Sequence, residues 1–322
     1  MTGRGVGRSM KLILLGTGAG RPTLERNVTS IALQFPERRN RFWLFDAGEG
    51  TQHQLLGRKE LKLSKLEAVF ITHLHGDHLY GLPGLLTSRS FIEGAGKLTV
   101  YGPAGISAYL EGIFAASEVR LDYELEIVEL EDERTELDAG FCRIVAMELD
   151  HRIRCLGYRI VESPRCGALD TEKLARLGLP PGPEYGLLKR GESVTLADGT
   201  TVRPGDVLAD PTPGATVTIL GDTAPCGNAF ELGREADLLV HEATFAAGLE
   251  EKAAAYGHST IAQACGIALK SEAKRLVVTH FSARYAKEDV RRMVEEARSI
   301  FPEVYAAHDG AEFDVRTGFI NN

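Results

Sequence analysis

The feature that most restricts the fold of this chain is a cluster of four ionisable side chains within six residues: His73, His75, Asp77 and His78. The apolar run before it, residues 66–72, is typical of a buried strand. On an extended segment, residues two apart face the same side, so the first three are expected to converge. The glycine before Asp77 would then permit the turn that brings in His78. Imidazole and carboxylate are ligands that zinc takes at catalytic sites, so the motif predicts a metal site.

Composition indicates a globular protein. The chain has 322 residues, of which 43% are apolar and 25% charged, enough for the core of one large or two small domains. No apolar run approaches the roughly 18 residues of a membrane span. The Gly- and Arg-rich start is not followed by an apolar region of signal-peptide type, so we expect a cytoplasmic protein. The five cysteines form no CxxC pair, which favours reduced thiols.

The net charge of −8 argues against a general nucleic-acid coat protein, because phosphate contacts require Lys and Arg. It does not exclude a nucleic-acid enzyme whose positive charge is local or is carried by metal ions.

Short apolar runs between turns predict strands along most of the chain. These runs are residues 11–15, 30–35, 41–45, 66–72, 98–101, 125–130, 141–149, 216–220, 238–240 and 277–279. Helices are predicted at 171–177, 260–269 and 287–300. Residues 162–206 are rich in Pro and Gly, with only a small helix and a short hairpin at 193–202. Such a stretch inside a compact domain is usually a functional protrusion or a linker.

The HxHxDH motif resembles the signature of hydrolases with the metallo-β-lactamase fold. This resemblance implies an α/β protein, a four-layer αβ/βα sandwich, within residues 10–322. It also implies three further metal ligands, each after a later strand. Candidates stand in order at those places, namely His151, Asp222 and His280.

The resemblance further implies two zinc ions per subunit. One ion would be held mainly by His73, His75 and His151. The other would be held by Asp77, His78 and His280, with Asp222 bridging the two. Two such ions less two carboxylate charges leave a local charge of about +2, which attracts a phosphodiester even in an acidic protein.

Further motifs make the chain similar to the short bacterial form of ribonuclease Z, from about residue 10 to 314. Residues 45–52 match the family's FDxGEGTQ segment, 241–244 its HEAT motif, 258–260 its HST motif and 307–310 its AxDx pattern. The resemblance implies removal of the 3′ trailer from precursor tRNA by a homodimer, with a 3′-hydroxyl on the tRNA and a 5′-phosphate on the trailer.

The same resemblance implies roles for individual residues. Asp77 would also accept the proton of the attacking water, and His258 would protonate or stabilise the departing 3′ oxygen. His241 and Glu242 would orient the ligands.

Residues 162–206 resemble the flexible arm, or exosite, with which this family grips tRNA. Its candidate RNA contacts are Gly178, Pro180, Gly182, Pro183, Lys189 and Arg190. Arg26 and Asn27 belong to a loop that the family places near the cleavage end. Its usual PxKxRN pattern has Leu24 instead of the Lys, so altered discrimination of tails bearing CCA is expected.

Three other functions stay open from the sequence. A small-molecule phosphodiesterase would need the same metals but no arm, and so would a hydrolase of this fold that acts on esters or thioesters. A non-catalytic tRNA-binding module would keep only a degenerate metal site. The complete ligand set argues against the last of these, and the arm argues against the first two.

Overall fold

The computed structural model describes residues 9–321. The strands in chain order are β1 (Lys11–Gly16), β2 (Gly18–Ala19), β3 (Ser30–Phe35), β4 (Arg41–Phe45), β5 (Leu66–Phe70), β6 (Leu98–Gly102), β7 (Leu125–Glu129), β8 (Arg134–Asp138), β9 (Cys142–Leu149), β10 (Cys155–Glu162), β11 (Val194–Thr195), β12 (Thr201–Val202), β13 (Thr216–Ile219), β14 (Leu238–Glu242), β15 (Leu276–Thr279), β16 (Phe281–Ser282), β17 (Val304–Ala306), β18 (Glu312–Asp314) and β19 (Gly318–Asn321).

The α-helices are α1 (Thr51–Leu56), α2 (Gly76–Leu79), α3 (Leu82–Arg89), α4 (Ile106–Ala116), α5 (Thr171–Arg176), α6 (Pro183–Lys189), α7 (Pro204–Val207), α8 (Gly227–Gly233), α9 (Glu250–Ala255), α10 (Ile261–Lys270) and α11 (Lys287–Ala297). The predicted strands are confirmed with small shifts at their ends, and the predicted helices appear as α5, α10 and α11.

The first large sheet has the order β19-β18-β1-β3-β4-β5-β6-β7. Strands β1, β3 and β4 are antiparallel, whereas β4 to β7 run parallel. Side chains alternate along β4, as the pleat of a strand requires. Phe42 and Leu44 pack with apolar residues of α1, α3 and α4, whereas Trp43 and Phe45 contact the ring of Phe70 on the other face.

The second large sheet has the order β17-β15-β14-β13-β10-β9-β8. Strands β13, β14, β15 and β17 are parallel, and α8, α10 and α11 pack against them around a core that includes Leu239, Val278 and Val294. The two sheets meet face to face at Tyr158 of β10. Its ring lies 5.7 Å from that of Phe45 and 5.3 Å from that of Phe70, between ring centroids. The layers are therefore helices, sheet, sheet and helices, as the predicted four-layer sandwich requires.

Residues 140–143 and 161–214 form a separate compact unit, called here the arm unit, which includes the predicted arm at 162–206. The other described residues form the core unit. The arm unit contains α5, α6, α7 and the β11–β12 hairpin around its own small apolar core. Six buried side chains make this core: Leu174, Leu179, Leu188, Val194, Val202 and Val207. Arg165 and Thr212 exchange two backbone hydrogen bonds of 2.8 and 2.9 Å, which hold the two ends of the segment side by side.

Across residues 9–321, no helix combines the length and the apolar character that crossing a lipid bilayer requires. The five cysteines are free thiols, as expected from their spacing.

Candidate metal centre and active site

The histidine-rich motif occupies the loop after β5, but not in the extended form that the sequence predicts. The chain is extended as far as His75 and then enters the helical turn α2, which carries Asp77 and His78. The expectation that Asp77 shares one face with His73 and His75 is therefore wrong, because a helical turn rotates successive side chains by about 100° rather than 180°. The turn divides the motif between two groups of side chains.

The first group consists of His73, His75 and His151, whose ligand atoms all lie within 4.8 Å of one another. His151 follows β9, and its Nε2 lies 3.3 Å from Nδ1 of His75. His73 is fully buried.

The second group consists of Asp77, His78 and His280. Nε2 of His280, directly after β15, lies 3.3 Å from both Oδ2 of Asp77 and Nε2 of His78. His280 has a φ of 58°, a left-handed conformation that is uncommon for a non-glycine residue. Such an outlier persists only where the surrounding structure fixes it.

Asp222, after β13, lies between the two groups. Its Oδ2 is 3.7 Å from Nε2 of His73, 3.4 Å from Nε2 of His78 and 3.4 Å from Nε2 of His280. One carboxylate oxygen therefore faces ligands of both groups.

These donor atoms fit divalent metal ions such as zinc. Two ligand atoms about 2.0–2.1 Å from a tetrahedral zinc lie about 3.3–3.4 Å apart, which matches the closest pairs here. Nε2 of His73 is buried without a hydrogen-bond partner among the described residues, and a buried polar atom of this kind needs a ligand. The donor set and its spacing together indicate a metal-binding site.

Hydrogen bonds to the far ring nitrogens hold three of the histidines in place. Nδ1 of His151 donates to the carbonyl of Gly257 at 2.7 Å, and Nδ1 of His280 lies 2.8 Å from Oγ1 of Thr244. Nδ1 of His78 donates to a carboxylate at 2.7 Å. Such bonds fix the tautomer and leave the Nε2 lone pair directed at the metal position.

The carboxylate that accepts the hydrogen bond from His78 belongs to Asp46. A role for this residue is not predicted from the sequence. Asp46 is buried at the end of β4 and also accepts hydrogen bonds from the backbone N–H and the hydroxyl of Thr72, at 2.7 and 2.8 Å. It therefore fixes the start of the motif and one of its histidines. The sequence contained one signal for this role. Asp46 is part of the segment that matches FDxGEGTQ, and it follows β4, which runs parallel to β5.

Burial and neighbouring charges set the protonation of the centre. Burial lowers the pKa values of His73, His75 and His151. Burial opposes ionisation of Asp77 and Asp222, but nearby histidines outweigh it and lower both pKa values. Neutral imidazoles and ionised carboxylates are the forms that bind metal.

His78 is the exception to this pattern. Burial lowers its pKa, but the charges of Asp222 and Asp46 outweigh that effect and raise it well above the ordinary value. The two carboxylates that face His78 thus favour its protonated form when no metal is bound.

Glu242 at the end of β14 holds His258 beside the centre. Its Oε1 accepts hydrogen bonds from Nδ1 of His258 at 2.8 Å and from the N–H of Ser259 at 3.0 Å. Burial lowers the pKa of His258, but the bond to Glu242 and the charge of Asp222 outweigh burial and raise it to about 9. His241 is also buried, but its Nδ1 bonds to the carbonyl of Glu242 and it belongs to none of the metal-holding groups.

The two groups open into a cleft of about 350 Å³, called here the metal cleft. Its wall includes Gly20, whose N–H donates to Oδ2 of Asp77 at 2.7 Å. Arg284 also lines it, with the guanidinium 5.1 Å from the ring centre of Phe245. A cation beside a metal-holding centre suits an anionic substrate.

The predicted RNA contacts Arg26 and Asn27 lie in the loop after β2. Nη1 of Arg26 donates to Oγ1 of Thr17 and to the carbonyl of Ala307, at 2.7 and 2.9 Å. The N–H of Asn27 donates to Asp309 at 2.6 Å, while Leu24 is fully exposed. Hydrogen bonds from Arg26 and Asn27 therefore anchor the C-terminal end of this loop.

The predicted contacts within the arm unit, Gly178, Pro180, Gly182, Pro183, Lys189 and Arg190, are all exposed. They lie after α5 and around α6, and Arg190 forms an ion pair with Glu192 at 2.9 Å.

Comparisons with known proteins agree with this geometry. A family model described as a beta-lactamase superfamily domain matches residues 41–166. The chain is 48% identical to a ribonuclease Z from Bacillus licheniformis, over 95% of this chain and 99% of the relative. It is 49% identical to a ribonuclease BN from Erwinia tasmaniensis, over 94% and 99%. Among solved structures it is similar to the short form of human tRNase Z, with a TM-score of 0.69 and 29% identity over 95% of this chain and 99% of that one. The chain thus belongs to the ribonuclease Z family and has the metallo-β-lactamase fold of that family.

Proposed function

We propose that this protein is a zinc-dependent endoribonuclease that removes the 3′ trailer from precursor tRNA. The observation that carries the proposal is the meeting of seven candidate ligands, in two groups around Asp222, at a cleft in a chain 48% identical to a ribonuclease Z. The products would be a tRNA with a 3′-hydroxyl and a trailer with a 5′-phosphate. We also propose that the enzyme acts in the cytoplasm, because its proposed substrate is precursor tRNA.

Two zinc ions per subunit would be held by the seven candidate ligands. His73, His75 and His151 would hold one, and Asp77, His78 and His280 the other, with Asp222 shared. Bound together, such ions lower the pKa of water and neutralise charge on the attacking and leaving oxygens.

The side chains of the centre then act on protons. Asp77 is ionised and faces the metal cleft, so its carboxylate can accept the proton of the attacking water. The N–H of Gly20 holds Oδ2 of Asp77 in place with a hydrogen bond of 2.7 Å. Because Nδ1 of His258 is engaged by Glu242, its Nε2 is the atom that can donate a proton to the departing 3′ oxygen. Arg26 and Asn27 would contact the acceptor end.

The arm unit would bind the tRNA body through its exposed contacts. It is a folded element with its own apolar core, and Lys189 and Arg190 present positive charge at the end of α6. RNA binding energy obtained far from the scissile bond improves catalysis of a large substrate.

The enzyme is also proposed to act as a homodimer. Large apolar side chains near α1, α2 and α3 are exposed, with relative exposures of 76% for Leu56, 63% for Tyr80 and 86% for Phe91. Exposed apolar groups of this size often mark protein interfaces. Analytical ultracentrifugation should give about twice the chain mass, and a monomer at micromolar concentration would contradict the dimer.

The test of the main proposal is incubation of purified protein with an end-labelled precursor tRNA, with and without chelator. We expect a single cut that leaves a 3′-hydroxyl, its loss on chelation and its return with zinc, and about two metal ions per chain by elemental analysis. Binding without cleavage would indicate a tRNA-binding module instead. Hydrolysis of bis(p-nitrophenyl) phosphate without cleavage of tRNA would indicate a small-molecule phosphodiesterase.

A further inference from the structure

A second cleft of the core unit, called here the basic groove, follows one face of α11. Its volume is about 500 Å³, and it is distinct from the metal cleft. Its lining includes four cationic side chains, Arg26, Lys287, Arg291 and Arg298, and one acidic side chain, Glu295. In a chain of net charge −8, this local excess of positive charge indicates an anionic ligand.

The cations of α11 form a row. Lys287, Arg291 and Arg298 are separated by four and seven residues, so they lie on the same face of the helix. At 1.5 Å per residue, the row extends for about 16 Å. Arg298 is paired with Glu295, but neither Lys287 nor Arg291 has an ion-pair partner in the described part of the chain. Two cations are thus available to phosphates.

The groove also has an apolar and aromatic floor. Val290, Val294 and Ala306 line it together with Tyr305, whose ring is half-buried and whose hydroxyl bonds to Glu303 at 2.8 Å. A row of cations beside an aromatic ring is the arrangement that holds single-stranded nucleic acid, because the phosphates meet the charges and a base stacks on the ring. A duplex offers no free base face, so these features favour a single strand.

Arg26 links the basic groove to the metal centre. It lines the groove, and its guanidinium lies over the ring of Phe281 at 4.8 Å from the centroid. Phe281 follows His280, one of the candidate metal ligands. The ring of Phe281 is buried, and its two chain neighbours, His280 and Ser282, line the metal cleft. Arg26 of the basic groove therefore lies one side chain away from residues of the metal cleft.

We propose that the basic groove binds the single-stranded 3′ trailer of the precursor RNA, beyond the bond that is cut. The inference rests on the proposed function. The arm unit is assigned to the tRNA body, whereas the trailer is the part of the substrate that is single-stranded and continues past the scissile bond. His308 at the rim of the groove would face the same strand.

The test compares two precursor tRNAs with the same body. One carries a trailer of about 16 nucleotides, near the upper end of single-strand site sizes, and the other a single nucleotide. The variant is Lys287→Gln/Arg291→Gln. The matched control is Arg292→Gln, a neighbouring arginine of α11 that is paired with Asp289 and does not line the groove. Melting curves of both variants should match that of the parent.

We expect the double variant to lose about tenfold in kcat/KM on the long trailer, mainly through KM, and less than twofold on the short one. The slope of log(kcat/KM) against log[salt] on the long trailer should fall by about 1.4, since each single-strand phosphate contact contributes about 0.7. A photoreactive 4-thiouridine in the trailer should cross-link to the segment 287–308 in the parent.

Equal losses on both substrates would mean that the groove contacts the tRNA body, and would overturn the proposal. No loss on the long trailer would also overturn it. A parent enzyme that cuts neither precursor would refute the proposed function itself, which separates that failure from failure of the groove.

Discussion

The metal centre and the arm unit are constructed in opposite ways. The centre draws side chains from positions 73 to 280 of the chain, each at a strand end or on the turn after it. The arm unit is formed almost entirely by one continuous segment, 161–214, around six buried apolar side chains. The centre therefore depends on the whole core unit, whereas the arm unit depends mostly on its own sequence.

This difference predicts how the activity of each region responds to substitution. Three histidines of the centre, His78, His151 and His280, are held by specific hydrogen bonds, so a change of a few atoms should remove most of the chemistry. The candidate RNA contacts of the arm unit are exposed, and each is expected to add a small share of binding energy. Substitutions in the arm unit should therefore reduce activity in small steps, and only on precursor tRNA.

The largest effect is expected from Asp77→Ala. Removal of a proton acceptor alone costs about 10²–10⁴-fold in rate, and damage to the second metal group would add to this. Binding of precursor tRNA, measured by gel shift, should change far less, because the tRNA grip is assigned elsewhere. The control is Asp150→Ala, an exposed carboxylate next to a candidate ligand. Near-normal turnover of Asp77→Ala would show that the proton acceptor lies elsewhere.

A smaller and substrate-specific effect is expected when residues 166–211 are replaced by a short Gly-Ser linker. Arg165 and Thr212 already hold the ends together, so closing the loop should cost little. All seven candidate ligands are retained, so hydrolysis of bis(p-nitrophenyl) phosphate should persist. Precursor tRNA should show a sharply raised KM, about 10–100-fold in kcat/KM.

Two results would contradict the division between centre and arm. Unchanged tRNA processing would show that residues 166–211 do not bind the substrate. Equal loss on both substrates, with a lowered metal content, would show that the segment is part of the catalytic fold.

Asp46→Asn should give an effect of about 10–100-fold in metal affinity or activity, typical for a group that orients a metal-binding histidine. The amide keeps the shape but removes the negative charge, and its NH₂ group replaces one of the two oxygens that accept hydrogen bonds from His78 and Thr72. Metal titration of the apo-protein tests this independently of turnover. Parent-like affinity would mean that Asp46 only supports the fold, and Asp150→Asn serves as the control.

The sequence predicted the parts of the fold that local pattern determines. Strands such as β3, β4 and β9 are apolar runs between turns, and α10 and α11 have a clear amphipathic period. Helices α1 to α3 were missed because they are short or, as in α3, contain Pro and Gly. Helix α4 was missed although it has 11 residues, as many as α11. The turn α2 has only four residues, too few for any period to appear, so Asp77 was assigned to the wrong face of the motif.

The candidate ligands could be named from the sequence because their chemistry is rare and each follows a strand. The contacts that hold them could not be named, because they join distant positions. Asp46 and His78 are 32 residues apart, and Thr244 and His280 are 36 apart. Only the packing of one strand beside another brings such pairs together.

The smallest effect is expected from Leu188→Ala. This substitution is also the sharpest test of whether the arm unit is an independent element. Leu188 is completely buried in the small core of the arm unit, and such a truncation typically costs about 2–5 kcal/mol. Because the segment is nearly self-contained, we expect faster hydrogen exchange within 170–207 and no change at the metal centre. The matched control is Leu177→Ala, a leucine at the end of α5 with 36% exposure, which should leave exchange almost unchanged.

If the arm unit positions its RNA contacts as a folded element, the Leu188 variant should lose severalfold in kcat/KM on precursor tRNA and nothing on bis(p-nitrophenyl) phosphate. Faster exchange spreading into β13 to β15 would instead mean that arm and centre are one cooperative structure.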